Sequence, residues 1–216
     1  MLQIERFIVS IMQTNCYFVT DEKSGLCAVI DPGAYTPGLT RKIEEAGEKL
    51  KYVLLTHGHF DHIGKADEIR KQTGAKIVIG ADEEEFLRNN DLNLSIMATP
   101  SGFDPFDADI LLDEGETVAL GETRFELMKT PGHTRGGACY IADGVIFTGD
   151  TLMKETIGRT DFPTGSYKEM IESLKKLGAL PGDYTVYPGH DDKTTLQHER
   201  ENNVYMGNIT YEAFDL

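Results

Sequence analysis

The run YVLLT (52–56) is nearly all apolar, and it delivers the chain directly into His57-Gly58-His59-Phe60-Asp61-His62. Such a run reads as a buried strand, so four side chains able to ligate a metal are crowded just past its end. Gly58 carries no Cβ and lets the backbone turn sharply between two imidazoles. His57 and His59 can then face one ion, while Asp61 and His62, at the start of the next helix, face another. Imidazole together with carboxylate suits zinc, iron or manganese, and the lack of a nearby cysteine argues against a closed structural zinc site.

The same pattern recurs at three later places. His133 follows TRFELMKTPG, Asp150 ends GVIFTG, and His190 follows YTVYPG. Each time an apolar strand runs into a glycine and then presents one ligand. Strand ends on one edge of a packed sheet share a rim, so four chain segments could meet there. Gly132, Gly149 and Gly189 are expected to let the backbone approach the ions closely. Of the six histidines only His198, within a helical stretch, falls outside this pattern and reads as a surface residue.

The rest of the chain alternates short β-rich runs with a few helices. LQIERFIVS, CYFVT and LCAVI are predicted strands, with a hairpin turn at DEKSG. Thr36 and Pro37 form an N-cap and first-turn pair for a helix to Ala46, stopped by Gly47. A helix over 63–73, the strand KIVIG and a short helix DEEEFLRNN follow. Residues 90–112 mix Asn, Asp, Pro and Gly and read as a surface excursion over a site. ETVAL, TRFELMK, ACYIA and GVIFTGD are further strands. SYKEMIESLKKLG is an amphipathic helix with Met170, Ile171, Leu174 and Leu177 on one face. YTVYP is a last strand and TTLQHERENNVYM a closing helix, with Thr194 and Thr195 as its caps. Strands followed by helices, twice over, predict an α/β protein with two sheets face to face and helices outside, a four-layer αββα sandwich.

Composition narrows the function classes. The 216 residues are 40% hydrophobic and 26% charged, which fits one globular domain over 1–216. No apolar run approaches the roughly 18 residues that span a bilayer. Glu5 and Arg6 interrupt the first apolar stretch, so no secretory signal is read and the expected location is cytoplasmic. Cys16, Cys27 and Cys139 are odd in number and far apart, which fits a reducing compartment and buried filler rather than disulfides. A net charge of -15 disfavours nucleic acid and anionic lipid as partners.

At these residues the chain resembles the metallo-β-lactamase superfamily, whose pattern is HxHxDH followed by a distant His, Asp and His. His57, His59, Asp61, His62, His133, Asp150 and His190 fill every position. THGHFDHIG, TPGHTRGG, FTGDTLMKETIGRTDFPTGS and YPGHDDKTTLQHERENN are similar to the glyoxalase II-like branch, the hydroxyacylglutathione hydrolases and their shorter relatives. The resemblance implies the metallo-β-lactamase αββα fold. It implies two divalent ions, by default zinc, with iron or manganese also accepted. His57, His59 and His133 would hold one, Asp61, His62 and His190 the other, and Asp150 would bridge. The implied reaction is hydrolysis of a small-molecule thioester of the S-lactoylglutathione type by a hydroxide between the metals, with Asp61 also orienting it. Full-length glyoxalase II has a C-terminal helical extension that supplies much of the glutathione contact, whereas this chain stops soon after His190.

Arg159, in Ile157-Gly158-Arg159-Thr160-Asp161, either meets a carboxylate of the substrate or makes an internal contact with Asp161 that shapes the loop. A second function, a persulfide dioxygenase with one iron held by two histidines and an aspartate, is similar around Gly158-Arg159-Thr160-Asp161-Phe162. THGHFDHIG fits the two-metal hydrolases better.

Overall fold

The computed structural model describes residues 1–207. The first half of the chain builds a six-stranded sheet in sequence order: β1 (Leu2–Val9), β2 (Thr14–Asp21), β3 (Cys27–Ile30), β4 (Leu50–Leu54), β5 (Lys76–Gly80) and β6 (Ile110–Leu112). The first three strands pair antiparallel and the rest parallel. Parallel strands here are covered on both faces, which is why CAVI of β3 is buried at every position.

The second half repeats the scheme with β7 (Thr117–Leu120), β8 (Thr123–Lys129), β9 (Ala138–Ala142) and β10 (Val145–Gly149). A two-stranded ribbon follows, β11 (Leu152–Met153) with β12 (Thr156–Ile157), and then β13 (Thr185–Pro188) and β14 (Thr194–Thr195). The sheet order is β14-β13-β10-β9-β8-β7, antiparallel except where β10 lies parallel to β13.

Three apolar cores separate four layers. Tyr17, Ile30, Leu54 and Val78 meet Phe125, Leu127, Tyr140 and Phe147 between the sheets. The outer face of the first sheet is covered by α1 (Pro37–Ala46) and α3 (Ala66–Thr73) through Leu39, Ile43 and Ile69. That of the second is covered by α4 (Tyr167–Gly178) and α5 (Leu196–Asn202) through Met170, Leu174, Leu177 and Leu196. The αββα sandwich is the one expected from the pattern. Thr36 caps α1 by accepting from the Leu39 amide, and Ser166 does the same for α4 at Glu169.

Four local expectations need correction. The helix expected over 63–73 is two: a single turn, α2 (Phe60–Ile63), and then α3. The Lys65 amide leaves the helical pattern to bond the Pro32 carbonyl at 2.9 Å, and this breaks the run. DEEEFLRNN is not an α-helix but part of a 3-10 turn over Ala81–Leu87. The excursion 90–112 ends as β6, the edge of the first sheet, and Asn93, Ser95 and Phe106 within it are buried. The closing helix is shorter than TTLQHERENNVYM, because Thr194 and Thr195 pair with β13 first; Thr195 then caps α5 through the His198 amide at 3.1 Å.

Cys16, Cys27 and Cys139 are free and buried. Burial pushes the Cys139 thiol up to about 12, which suits filler and not a nucleophile. Among the described residues, no helix is long and apolar enough to cross a membrane.

Candidate metal centre

All seven residues singled out by the pattern meet at one rim of the sandwich. The first sheet supplies His57, His59, Asp61 and His62 from the segment between β4 and α3. The second supplies His133 after β8, Asp150 after β10 and His190 after β13. Six of the seven are buried, and His190 stands half-buried at the opening. His198 lies elsewhere, bonded to Glu155 at 2.9 Å.

Three overlapping groups of donor atoms each fall within 4.8 Å: His57, His59 and His133; His57, His62 and Asp150; Asp61, His62 and His190. The first and last are separate pockets. His59 Nδ1 and His133 Nε2 stand 2.8 Å apart in the first. In the second, Asp61 Oδ2 lies 3.4 Å from His190 Nε2 and 3.5 Å from His62 Nε2. Asp150 sits between the two. Its Oδ2 is 3.5 Å from both His133 Nε2 and His190 Nε2, while its Oδ1 is 3.5 Å from His62 Nε2.

The donors fit divalent cations. His57 Nε2, His62 Nε2 and Asp150 Oδ1 are fully buried with no hydrogen-bond partner, an arrangement that protein interiors avoid unless something charged meets them. Burial and the neighbouring His133 hold His59 down to about 3, so its ring is a neutral donor. His62 behaves oppositely. Burial disfavours its charge, but Asp61, Asp150 and Asp31 outweigh it and lift the ring to about 9. His190 is lifted to about 11 against burial by Asp150 and Asp61. Those imidazoles hold Asp61 at about 2 although burial pushes it upward.

Several supporting residues were not singled out in the sequence. Asp31 follows β3 directly and accepts from the Thr56 amide at 2.8 Å and the Thr56 hydroxyl at 2.6 Å, and lies 3.0 Å from His62 Nδ1. Its φ of 51° is a strained left-handed conformation for a side-chain-bearing residue. LCAVI-Asp-Pro-Gly repeats the signal of an apolar strand running into a polar residue, so Asp31 was findable. Thr14 donates to Asp61 Oδ2 at 2.7 Å. The fully buried Glu83 bonds Gly58 and Gly136, and nothing in its acidic surroundings marked it.

The glycines act differently from expectation. Of Gly132, Gly149 and Gly189, Gly189 is the one packed against candidate ligand side chains: a Cβ there would lie 2.2 Å from Asp150 Oδ1 and 2.9 Å from His62. Gly132 packs against Met170 and Gly149 against Thr56. Arg159 makes the internal contact with Asp161 that was one of its two expected roles. Its guanidinium pairs with Asp161 through two bonds of 2.7 Å and lies 3.8 Å over the Phe162 ring, while its carbonyl accepts from His133 Nδ1 at 2.7 Å.

The model of the metallo-beta-lactamase superfamily matches residues 10–190. The chain belongs to the metallo-β-lactamase superfamily. It is 36% identical over 212 residues to hydroxyacylglutathione hydrolase GloC of Haemophilus influenzae, covering 95% of this chain and 98% of that one. Among solved structures, BLEG-1, a B3 metallo-β-lactamase, superposes with a TM-score of 0.85 at 30% identity, covering 94% of this chain and 99% of that one. TTHA1623, solved in a di-iron-bound form, gives a TM-score of 0.78 at 27% identity, covering 93% of this chain and 99% of that one. With its superfamily pattern of histidines and aspartates, the chain is a metal-dependent hydrolase, and its donor set is of the binuclear kind.

Proposed function

We propose that the chain hydrolyses small-molecule thioesters of the hydroxyacylglutathione type at a centre of two divalent ions, zinc by default. His57, His59 and His133 are the ligands of the first ion in this reading, Asp61, His62 and His190 those of the second, and Asp150 joins them. The observation that carries it is the position of Asp150 Oδ2, equidistant at 3.5 Å from one histidine of each pocket. Similarity to GloC over nearly the whole length favours the thioester.

Two such ions, when bound, supply Lewis acidity for the carbonyl and the leaving thiolate and acidify water. The chain's own groups do the positioning. Asp61 accepts from Thr14 through Oδ2, which fixes the carboxylate where it can also orient the attacking water. A cleft of about 600 Å³ opens beside His190, with Arg6, Met12, Gln13 and Lys154 among its walls, and gives the substrate room. Arg159 borders the first pocket through Phe162, whose ring centre is 5.8 Å from that of His59. Its pairing with Asp161 is exposed to water and screened by it. Arg159 can therefore exchange Asp161 for a carboxylate of the substrate at little cost.

The test is to count metals in freshly purified protein while assaying S-lactoylglutathione hydrolysis and glutathione-persulfide oxygen uptake side by side. Two metals with thioester turnover is the expected result. One iron with oxygen uptake would replace this reading by a persulfide dioxygenase.

A further inference from the structure

We propose that Glu83 is the positioning residue of the three-histidine pocket, its buried carboxylate clamping the loop of His57 and His59 to the loop of His133. Glu83 Oε2 accepts from the Gly58 amide at 2.7 Å, midway between the first two ligands. Glu83 Oε1 accepts from the Gly136 amide at 2.9 Å, three residues beyond His133. One loop rises from the first sheet and the other from the second, so a single side chain joins both sides of the pocket.

The turn that carries Glu83 is shaped for this contact. A Cβ on Gly58 would lie 2.2 Å from Phe86 Cβ, and one on Gly136 would lie 2.6 Å from the Asp82 carbonyl carbon. Both loops thus reach the turn through glycines that leave no room for a side chain. Arg135, beside Gly136, pairs with Glu85 and lies 5.6 Å from the Phe86 ring centre. The turn is braced from behind, since Asn93 donates to the Phe86 carbonyl at 2.8 Å and the Phe60 amide donates to the Asn93 carbonyl at 2.8 Å. Burial pushes the Glu83 carboxyl up to about 7, so placing it here is unfavourable unless its bonds serve a purpose.

The second pocket has its own supports. Asp31 holds His62, and Asn15 Nδ2 holds the His190 loop through the carbonyls of Pro188 and Asp191 at 3.0 and 2.8 Å. Neither involves Glu83. Loss of the Glu83 clamp should therefore weaken one ion and spare the other, a selectivity that general destabilisation would not produce. The inference rests on His57, His59 and His133 being ligands of one ion.

His190→Ala leaves the three-histidine pocket alone, and His59→Ala leaves the second alone. Each apoprotein is titrated with cobalt(II) and followed by its visible absorption, with far-UV circular dichroism confirming the fold. Glu83→Gln keeps the side chain's shape but turns one acceptor into a donor facing a backbone N–H. Combined with His190→Ala it should weaken cobalt binding by about 10–100-fold, as loss of outer support does at other metal sites; combined with His59→Ala it should change nothing. Glu83→Asp, which keeps the charge but shortens the reach, should give a smaller loss of the same selectivity and serves if the Gln variant does not fold. Equal effects on both pockets, or none, overturn the clamp. Failure of either parent variant to bind one ion overturns the ligand reading and the clamp with it.

Discussion

Three of the candidate ligand imidazoles have one ring nitrogen engaged away from the pockets, which leaves the other for an ion. His133 Nδ1 faces the Arg159 carbonyl, which can only accept, so the proton sits on Nδ1 and Nε2 keeps its lone pair. Asp31 does the same for His62, and the Thr56 hydroxyl lies 3.2 Å from His57 Nδ1. Asp31→Asn should lower the affinity of the second pocket by about 10–100-fold and that of the three-histidine pocket by less, since Asp31 reaches His57 only through Thr56; metal titration of the apoprotein measures both. Protons follow the same logic. The folded rings of His62 and His190, at about 9 and about 11, lie above a free imidazole at about 6.5. Their contribution to apoprotein stability is complete below the free value and is lost as pH rises through the folded ones. Metal loading at pH 7 should therefore release a proton from each, whereas His59, at about 3, has none to give. Calorimetry in buffers of different ionisation enthalpy reads this directly, and a buffer-independent heat would contradict it. The seven candidate ligands were legible because apolar strands run into them, β4 into the cluster of His57, His59, Asp61 and His62 and later strands into His133, Asp150 and His190. The supports were less so: Asp31 shared that signal, while Glu83 sits in the acidic run DEEEFLRNN, which reads as an ordinary short helix.

Helix α4 shows how an element holds the rim in place from a distance. Its buried face, Met170, Leu174 and Leu177, packs on the second sheet behind the strands that present His133 and Asp150. The Ser173 hydroxyl donates to the Pro131 carbonyl at 2.7 Å, two residues before His133. Leu174→Ala should lower unfolding stability by about 2–5 kcal/mol in a denaturant titration of the apoprotein. A loss below 1 kcal/mol would mean the site collapses around the smaller side chain. Elements with strong periodicity and a cap, such as α1 and α4, were readable to within a residue or two. Those set by tertiary partners were not. The Ala81–Leu87 turn is short and shaped by the loops docked on it, and β6 has only three residues whose strand character comes from pairing with β5.

At the scale of the whole molecule, metal and fold are linked because the donors form a set only in the folded state. Ions that bind the folded chain alone stabilise it by mass action, about 2.7 kcal/mol at one hundred times the dissociation constant. Chelator-treated protein should melt measurably lower than the loaded form, and restored zinc should recover the difference. An unchanged melting temperature would argue against ligation by these residues. The division of donors between the halves gives this coupling a direction. Four come from residues before the 113–116 turn and three from residues after it, and neither share completes a pocket on its own. A cation in either pocket is therefore one more cross-link between two stretches of chain already joined by the core between the sheets and by polar ties such as Gly136 to Glu83 and Asn15 to Pro188. Stripping it should loosen the seam between the halves before it unravels either one.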